Sequence, residues 1–546
     1  MKREPTQSTA MPPMTKAEDA PQSLRVAIIG CGPRGLQCLE AMSRRLSRQL
    51  HRRISITVFE PAEFLGAGMV YNPSQPKTLR MNFATQHIDF WKTKPDHRTA
   101  RSGSLLGWLA QHYPEYAATN QYVPRAIVGE YLHDCYNKVV SQIKDTTTLR
   151  VIPEKVIEIQ KRGGRFSVRT NAGLSHFDQV AITTGHEGLR SSPTTQAGKA
   201  PIPAIPAGMH LTVDRVTPGS RVLVHGFGLT AIDTVLSLTE GRGGSFDSNR
   251  TLPRYRKCSL EPARIDLRSR SGRPMLSKPA ANKEPISDDF WTPFRHRLNE
   301  HLPHHGKLDF VRDIWSIVTD AAAHLLVESG SHTQTRVVDG WYQGWTRCKM
   351  DSKSAQKTML QSYAVATGKR PIDIPYALGD SWRRLYPELV ALISNGGLTD
   401  DSWNSFALTA REMERIAFGP PAENIGRLLS LMRARLISVG TQLDSTQHYD
   451  HTINSVIAGP HQHDHVGPME KLIQAGLVQV HPASGGVMVD CRGFVIGGTR
   501  GLAIFGRATE GWVVGNDTLN RTLHCHIENW AEEIATLAAS TENHLL

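Results

Sequence analysis

The chain has 546 residues and a formal net charge of +12, long enough for two or three domains with well-buried cores. Its seven cysteines (Cys31, Cys38, Cys135, Cys258, Cys348, Cys491 and Cys525) are scattered and contain no C-x-x-C, which argues against a disulfide framework, a zinc ribbon and a dithiol reductase. No run of about 18 apolar residues is present, so no transmembrane helix is expected. Residues 1–22 lack the apolar centre of a secretory signal and read as a disordered tail, which leads us to expect a cytoplasmic protein. The positive balance suits phosphorylated cofactors and acidic substrates, and we prefer that reading to a nucleic-acid or membrane partner.

The first ordered segment is "LRVAIIGCGPRGLQCLEAMSRRL". Val26 to Ile29 is short, apolar and β-branched, as in a strand buried on both faces, and Leu36 to Leu46 has helical periodicity. Between them Gly30, Gly32 and Gly35 form G-x-G-x-x-G. The first glycine permits a tight turn, the second lets a pyrophosphate approach, and the third lets helix and strand pack closely. "RRISITVFEP" is a second strand ending in Glu60, 25 residues past Gly35, where an acid can bond a ribose hydroxyl. "TLRVIPEKVIEIQKRGGRFSVRTNAGLSHFDQVAITTGH" reads as a strand, a three-stranded meander turning at Gly163–Gly164 and Gly173, and a buried strand ending at Thr184-Gly185-His186.

"SRVLVHGFGLTAIDTVLSLT" repeats the opening design: a strand from Arg221 to His225, then Gly226, Gly228 and Ala231 as G-x-G-x-x-A, with Leu229 and Thr230 opening the helix. After a Gly-, Ser- and Arg-rich stretch (Gly241 to Cys258), the next strand ends in Arg268, Ser269 and Arg270 where the first unit has an acid, a pattern that accommodates an adenosine 2′-phosphate. Arg270 and Arg273 are open between that phosphate and water. The fold class is therefore α/β, with two dinucleotide-binding Rossmann-type domains, FAD in the first and NADPH in the second. From about Ser277 to Gln447 the pattern turns helical and reads as an insertion that covers the flavin and shapes a substrate pocket. "HQHDH" (His461, His463, His465) reads as a solvent-exposed loop, "GLAIFGRATEG" as a buried strand running into Gly506 and Glu510, and "HCH" (His524 to His526) as part of a C-terminal helix. No metal site is expected. The expected organisation is 23–214 for FAD, completed by 456–546, 215–276 for NADPH, and 277–455 for the helical insertion and substrate lid.

The stretches "VAIIGCGPRG", "VFEPAEFLGAGMVYNPSQPKTLRMNFATQHIDFW", "YVPRAIVGEYL", "VAITTGH", "VLVHGFGLTAID", "GPMEKLIQAGLVQVHPASGGVMVD" and "LAIFGRATEG" together resemble the FAD/NAD(P)-binding flavoproteins related to amino-acid N-hydroxylating, nitrosuccinate synthase-like monooxygenases. The resemblance implies Gly30, Gly32, Pro33, Arg34 and Gly35 on the FAD pyrophosphate and Glu60 on the ribose. It implies Met81, Asn82 and Phe83 with Gln86 beside the isoalloxazine, Arg125 in the "PRxxxGEYL" element, and Val156 at the adenine through its backbone. Thr184 and Gly185 would close the strand under the cofactor, and Gly506 with Glu510 would approach the ribityl chain or ring, a place where many relatives have Asp. Asn82, Gln86 and Arg125 are the catalytic candidates; Arg80 is open between a ligand contact and a surface residue.

No F-x-G-x-x-x-H-x-x-x-W-P fingerprint follows either glycine motif, so ketone oxygenation ranks low. The expected function is an FAD- and NADPH-dependent monooxygenase that oxidises the nitrogen of an acidic or amine-bearing small molecule, aspartate-like, with O2 through a C4a-hydroperoxyflavin. The alternatives are a flavin-dependent C-hydroxylase of a purine or aromatic ring, and a reductase or electron relay without oxygenase activity.

Overall fold

The computed structural model describes residues 23–46, 53–91, 103–118, 121–144, 146–185, 200–247, 252–280, 286–302, 306–441, 447–459, 467–516, 518–519 and 521–540. The expected tail over 1–22, His186 and the His461/His463/His465 cluster lie outside these residues.

The first unit supplies strands β1 (Leu24–Ile29), β2 (Ile54–Phe59) and β3 (Thr147–Ile152). An antiparallel meander follows: β4 (Glu158–Arg162), β5 (Arg165–Thr170) and β6 (Gly173–Phe177), then β7 (Gln179–Ile182). The second unit comprises β8 (Ile202–Pro203), β9 (Arg221–His225), the hairpin β10 (Ser245–Asp247) with β11 (Arg254–Arg256), β12 (Arg264–Arg268), β13 (Ile437–Gly440) and β14 (His451–Asn454). β15 (Leu502–Ile504) then returns to the first unit. Two five-stranded sheets result, ordered β15-β7-β1-β2-β3 and β13-β12-β9-β14-β8, and every pairing within them is parallel.

Such sheets need cover on both faces. Val26, Ala27 and Ile28 of β1 are fully buried, and the helices Pro33–Arg45, Arg125–Ile143 and His526–Ala539 bury Leu36, Leu39, Val128 and Trp530 in one core with β1 and β2. The far ends of the chain thus meet: helix Pro33–Arg45 packs against helix His526–Ala539, and buried Arg521 pairs with Glu40 at 2.8 Å and Glu528 at 2.9 Å.

Two boundaries differ from expectation. β8 lies inside the span assigned to the first unit, yet it pairs with β14 of the second sheet. β13 and β14 lie inside the span 277–455 assigned to the helical lid, yet they pair with β12 and β9. The helical part runs from helix Asp288–Asn299 to helix Ala422–Arg433, so the insertion interrupts the second sheet instead of following it. Short strands whose partners lie far away in the chain leave little periodicity to read. The insertion has a solid interior with Trp291, Trp382 and Trp403 nearly fully buried. It is anchored where the chain leaves β12. Arg273 bonds Glu412 through two nitrogens at 3.2 and 2.7 Å and donates to the Thr346 and Cys348 carbonyls, each at 2.8 Å. Arg273 therefore faces neither water nor a phosphate.

Candidate functional site

The first glycine turn has no room to spare. Gly30 has φ +91°, and a Cβ there would stand 3.1 Å from the Thr183 carbonyl; one on Gly35 would stand 2.3 Å from the Gly30 oxygen. Positive φ and close packing are what only glycine tolerates. Gly32 is the N-cap of helix Pro33–Arg45, with no side chain capping it and no acid in its first turn, so the helix presents free N–H groups to an anion. Glu60 accepts from the Cys31 N–H at 2.6 Å and the Ala62 N–H at 2.9 Å, which places its carboxylate beside the turn. An open helix end next to a strand-end acid fits a dinucleotide. Thr183 escaped the sequence reading: its hydroxyl donates to the Gly30 carbonyl at 2.7 Å. Neighbouring Thr184 is half-buried and Gly185 exposed.

The second turn is looser. Gly226 has φ +115° and backs onto Ser455, whereas a Cβ on Gly228 would meet nothing within 4 Å. Gly228 caps helix Leu229–Leu238 with no side-chain bond, so Leu229 and Thr230 begin another open N-terminus. Arg415, from the insertion, reaches this turn and donates to the Phe227 carbonyl at 3.2 Å. Arg268 donates to the Leu267 carbonyl at 3.0 Å and lies 4.0 Å from Asp266. Burial pushes the Asp266 carboxyl up, but hydrogen bonds from Ser438 and Arg264 and the charges of Arg264 and Arg268 outweigh it and hold the group below the usual range. Part of the Arg268 charge is thereby spent inside the protein. Ser269 accepts from the Gly272 N–H at 3.0 Å, and Arg270 is exposed.

Between the first unit and the helical insertion lies a cavity of ≈ 510 Å³. One wall is Met81, Asn82, Phe83, Gln86 and His87; the facing wall comes from the insertion, with Asp380, Arg383, Arg384, Glu414 and Phe418; Lys278 stands between them. Asn82 accepts a hydrogen bond from Lys278 Nζ through its carbonyl. Gln86 is exposed, its Nε2 3.2 Å from His87 Nε2. Burial, then the Arg384 and Lys278 charges, hold the His87 imidazole below its usual range. Arg383 donates to Asp380 at 3.0 Å and to the Ala417 carbonyl at 2.7 Å.

Other expected residues stand elsewhere. Arg125 begins a helix and pairs with Asp233 of helix Leu229–Leu238 at 2.5 Å, joining the two units outside the cavity wall. Arg34 donates to the Asn516 carbonyl at 3.0 and 2.5 Å and to the Thr518 carbonyl at 3.0 Å, so its guanidinium ties down the C-terminal segment. Val156 is a core side chain, 3% exposed. Gly506 adjoins Arg34, and Glu510 pairs with Arg507. Arg80 borders a neighbouring cavity with Glu115, Tyr116 and Glu423 and donates to the Tyr122 carbonyl at 3.2 Å. His524 precedes the C-terminal helix, so its ring stacks on His526 at 5.0 Å, where a continuous helix would have separated them.

Paired parallel α/β units, each with an uncapped glycine turn, define a protein with two dinucleotide-binding domains. Residues 27–187 match the family described as FAD-NAD(P)-binding. The chain is similar to an L-aspartate N-monooxygenase (nitrosuccinate-forming) of Streptomyces davaonensis, 25% identical over 63% of this chain and 59% of the relative. It is likewise similar to one of Streptomyces cremeus, 29% identical over 54% and 50%. The chain thus spans about half to three-fifths of the length of these relatives. Among solved structures, the reduced ornithine hydroxylase of Pseudomonas aeruginosa aligns over 95% of this chain and 99% of its own, with TM-score 0.49 and 11% identity.

Proposed function

We propose that the protein is an FAD-dependent, NADPH-consuming monooxygenase that oxidises the nitrogen of an amino acid, with an acidic, aspartate-like substrate the leading one. The observation that carries this reading is the cavity, where Asn82, Phe83 and Gln86 face Lys278, Arg383 and Arg384. The Arg383 and Arg384 guanidiniums in a partly dry cleft favour a substrate with carboxylates. The similarity to aspartate N-monooxygenases supports the reaction class. FAD would be held by the Gly30–Gly35 turn, the helix end at Pro33 and Glu60, and NADPH by Gly226, Gly228, Leu229 and Thr230 with Arg268, Ser269 and Arg270. When bound, the reduced flavin supplies O2 activation. The chain's own residues bind and orient: Arg383 and Arg384 hold carboxylate, Asn82 and Gln86 offer neutral polar groups at the ring, and Phe83 with Phe418 keeps water out.

The test is NADPH consumption by the purified flavoprotein across an amino-acid panel under 18O2, with mass spectrometry of the product. One labelled oxygen on nitrogen is the expected result. Label on carbon would move the protein to the C-hydroxylases, and unlabelled product with NADPH consumed would make it a reductase or relay.

A further inference from the structure

An amine attacks electrophilic oxygen through its lone pair, so an amino acid that arrives as the ammonium must first lose a proton. Asn82 and Gln86 carry neutral amides, and the Arg383 and Arg384 guanidiniums stay protonated. Lys278 differs from all four. It is 7% exposed, on the segment that follows β12, with Nζ 5.8 Å from the centre of the Phe83 ring and 6.0 Å from that of Phe418. Nζ donates to the Asn82 carbonyl and, among the described residues, makes no ion pair. We propose that Lys278 is the proton acceptor for the substrate's ammonium group, an inference that rests on the function proposed above.

The surroundings weaken the ammonium form of this amine. Burial first, then the Arg383 charge, lower its pKa to about 7, while Glu414 pulls it upward. His87, Tyr71 and Tyr122 from the first unit's wall, with Asp380 and Arg384 from helix Ile374–Arg384 and Tyr386 just after it, are the other charged and titratable groups lining the cavity. Above pH 7 the Lys278 lone pair is thus available without removing a proton from solvent-exposed lysine.

The step balances. Lys278–NH2 takes a proton from R–NH3+, leaving R–NH2 and Lys278–NH3+. Reduced flavin, when bound, would supply the activated oxygen that the R–NH2 lone pair attacks; one oxygen atom ends on nitrogen and the other in water, which takes the proton that Lys278 returns. Overall, R–NH3+ + O2 + NADPH gives R–NHOH + NADP+ + H2O, the two reducing electrons coming from NADPH.

The experiment uses the flavin-loaded protein in three forms: wild type, Lys278→Met and Lys278→Arg. With [ε-13C]lysine incorporated, one Cε resonance should titrate near pH 7 and be missing from Lys278→Met; a Lys278 resonance titrating near the ordinary lysine value overturns the proposal. With aspartate at pH 7.5, both variants should keep oxidising NADPH, release hydrogen peroxide, and form N-oxygenated product roughly 100-fold more slowly. Raising the pH to 9.5 should restore product in Lys278→Met, because free amine then comes from solution. Succinate, which has no amine, should bind all three forms within about three-fold. Wild-type product formation by Lys278→Arg would make the residue a carboxylate clamp and overturn the proposal. If wild type forms no N-oxygenated product from any amine, the proposed function falls and this inference with it. Oxygenation by wild type with an indifferent Lys278→Arg refutes the inference alone.

Discussion

The two glycine turns share a motif but not a structure. In the first, Gly30 and Gly35 close on each other and on Thr183, and Glu60 bonds back to the turn. In the second, an alanine fills the third position, Gly228 faces open space, and the strand-end residues are Arg268 to Arg270. The tight turn suits a cofactor that stays; the loose one suits a cofactor that exchanges each turnover. Charge follows the same division, with the acid Glu60 at the strand end of one unit and Arg268 and Arg270 at that of the other.

The strongest way to break this contrast is to add a methyl group to each turn. Gly35→Ala sets a Cβ against the Gly30 oxygen at 2.3 Å, a clash with backbone that should remove bound flavin and destabilise the first unit by at least about 1–3 kcal/mol. Gly228→Ala meets nothing within 4 Å and should keep flavin and fold; equal flavin absorbance per protein in the two variants would show that the turns do not differ as described. Gly32→Val, whose Cβ meets only Gly68 at 3.5 Å, should fold yet lose its yellow colour, because its methyls occupy the pyrophosphate approach.

Next in size is the tie between the units. Arg125→Met leaves Asp233 without its cation in a largely buried setting, which should cost about 3 kcal/mol in denaturant unfolding. Burial already raises the Asp233 carboxyl, against the Arg125 charge and its hydrogen bond. The loss should shrink as pH falls and the carboxyl protonates, since a neutral acid needs no partner. A loss that grows toward acid would refute this assignment.

For cofactor choice, Arg268→Ala with Arg270→Ala should raise the KM for NADPH by about ten-fold or more and leave that for NADH nearly unchanged, each charge-assisted bond contributing about 1.5–3 kcal/mol. Arg270 should account for more of it, because Arg268 is already engaged by Asp266 and the Leu267 carbonyl. Wild type using both nicotinamides equally would remove the charge division between the turns.

A last effect concerns the stacked pair at the C-terminal helix. Burial first lowers both His524 and His526 to about 4. The unfolded chain therefore takes up protons below about 6.5 while the native state does not, and stability falls as pH drops from there to about 4. His524→Gln with His526→Gln should flatten the fall in melting temperature between pH 6.5 and 4.5; an unchanged slope would put the acid sensitivity elsewhere.

The amino-acid order alone disclosed both glycine turns, the strands that enter them, the acid and basic strand ends, and the meander, because each is written in neighbouring residues whose spacing reports a local backbone. Asn82, Phe83 and Gln86 were singled out only by the resemblance to N-hydroxylating flavoproteins, not by any local spacing. The amino-acid order did not disclose that β13 and β14 close the second sheet across a long helical insertion, that Arg125 and Arg34 serve as ties, or that Lys278 and Arg383 share one cavity with Asn82. Those relations join residues tens to hundreds of positions apart: Lys278 sits 196 residues from Asn82, and no local period records such a meeting. Burial and electrostatic partnership belong to the packed molecule, so the turns could be read from the chain, while the cavity was decided only when the insertion folded onto the first unit.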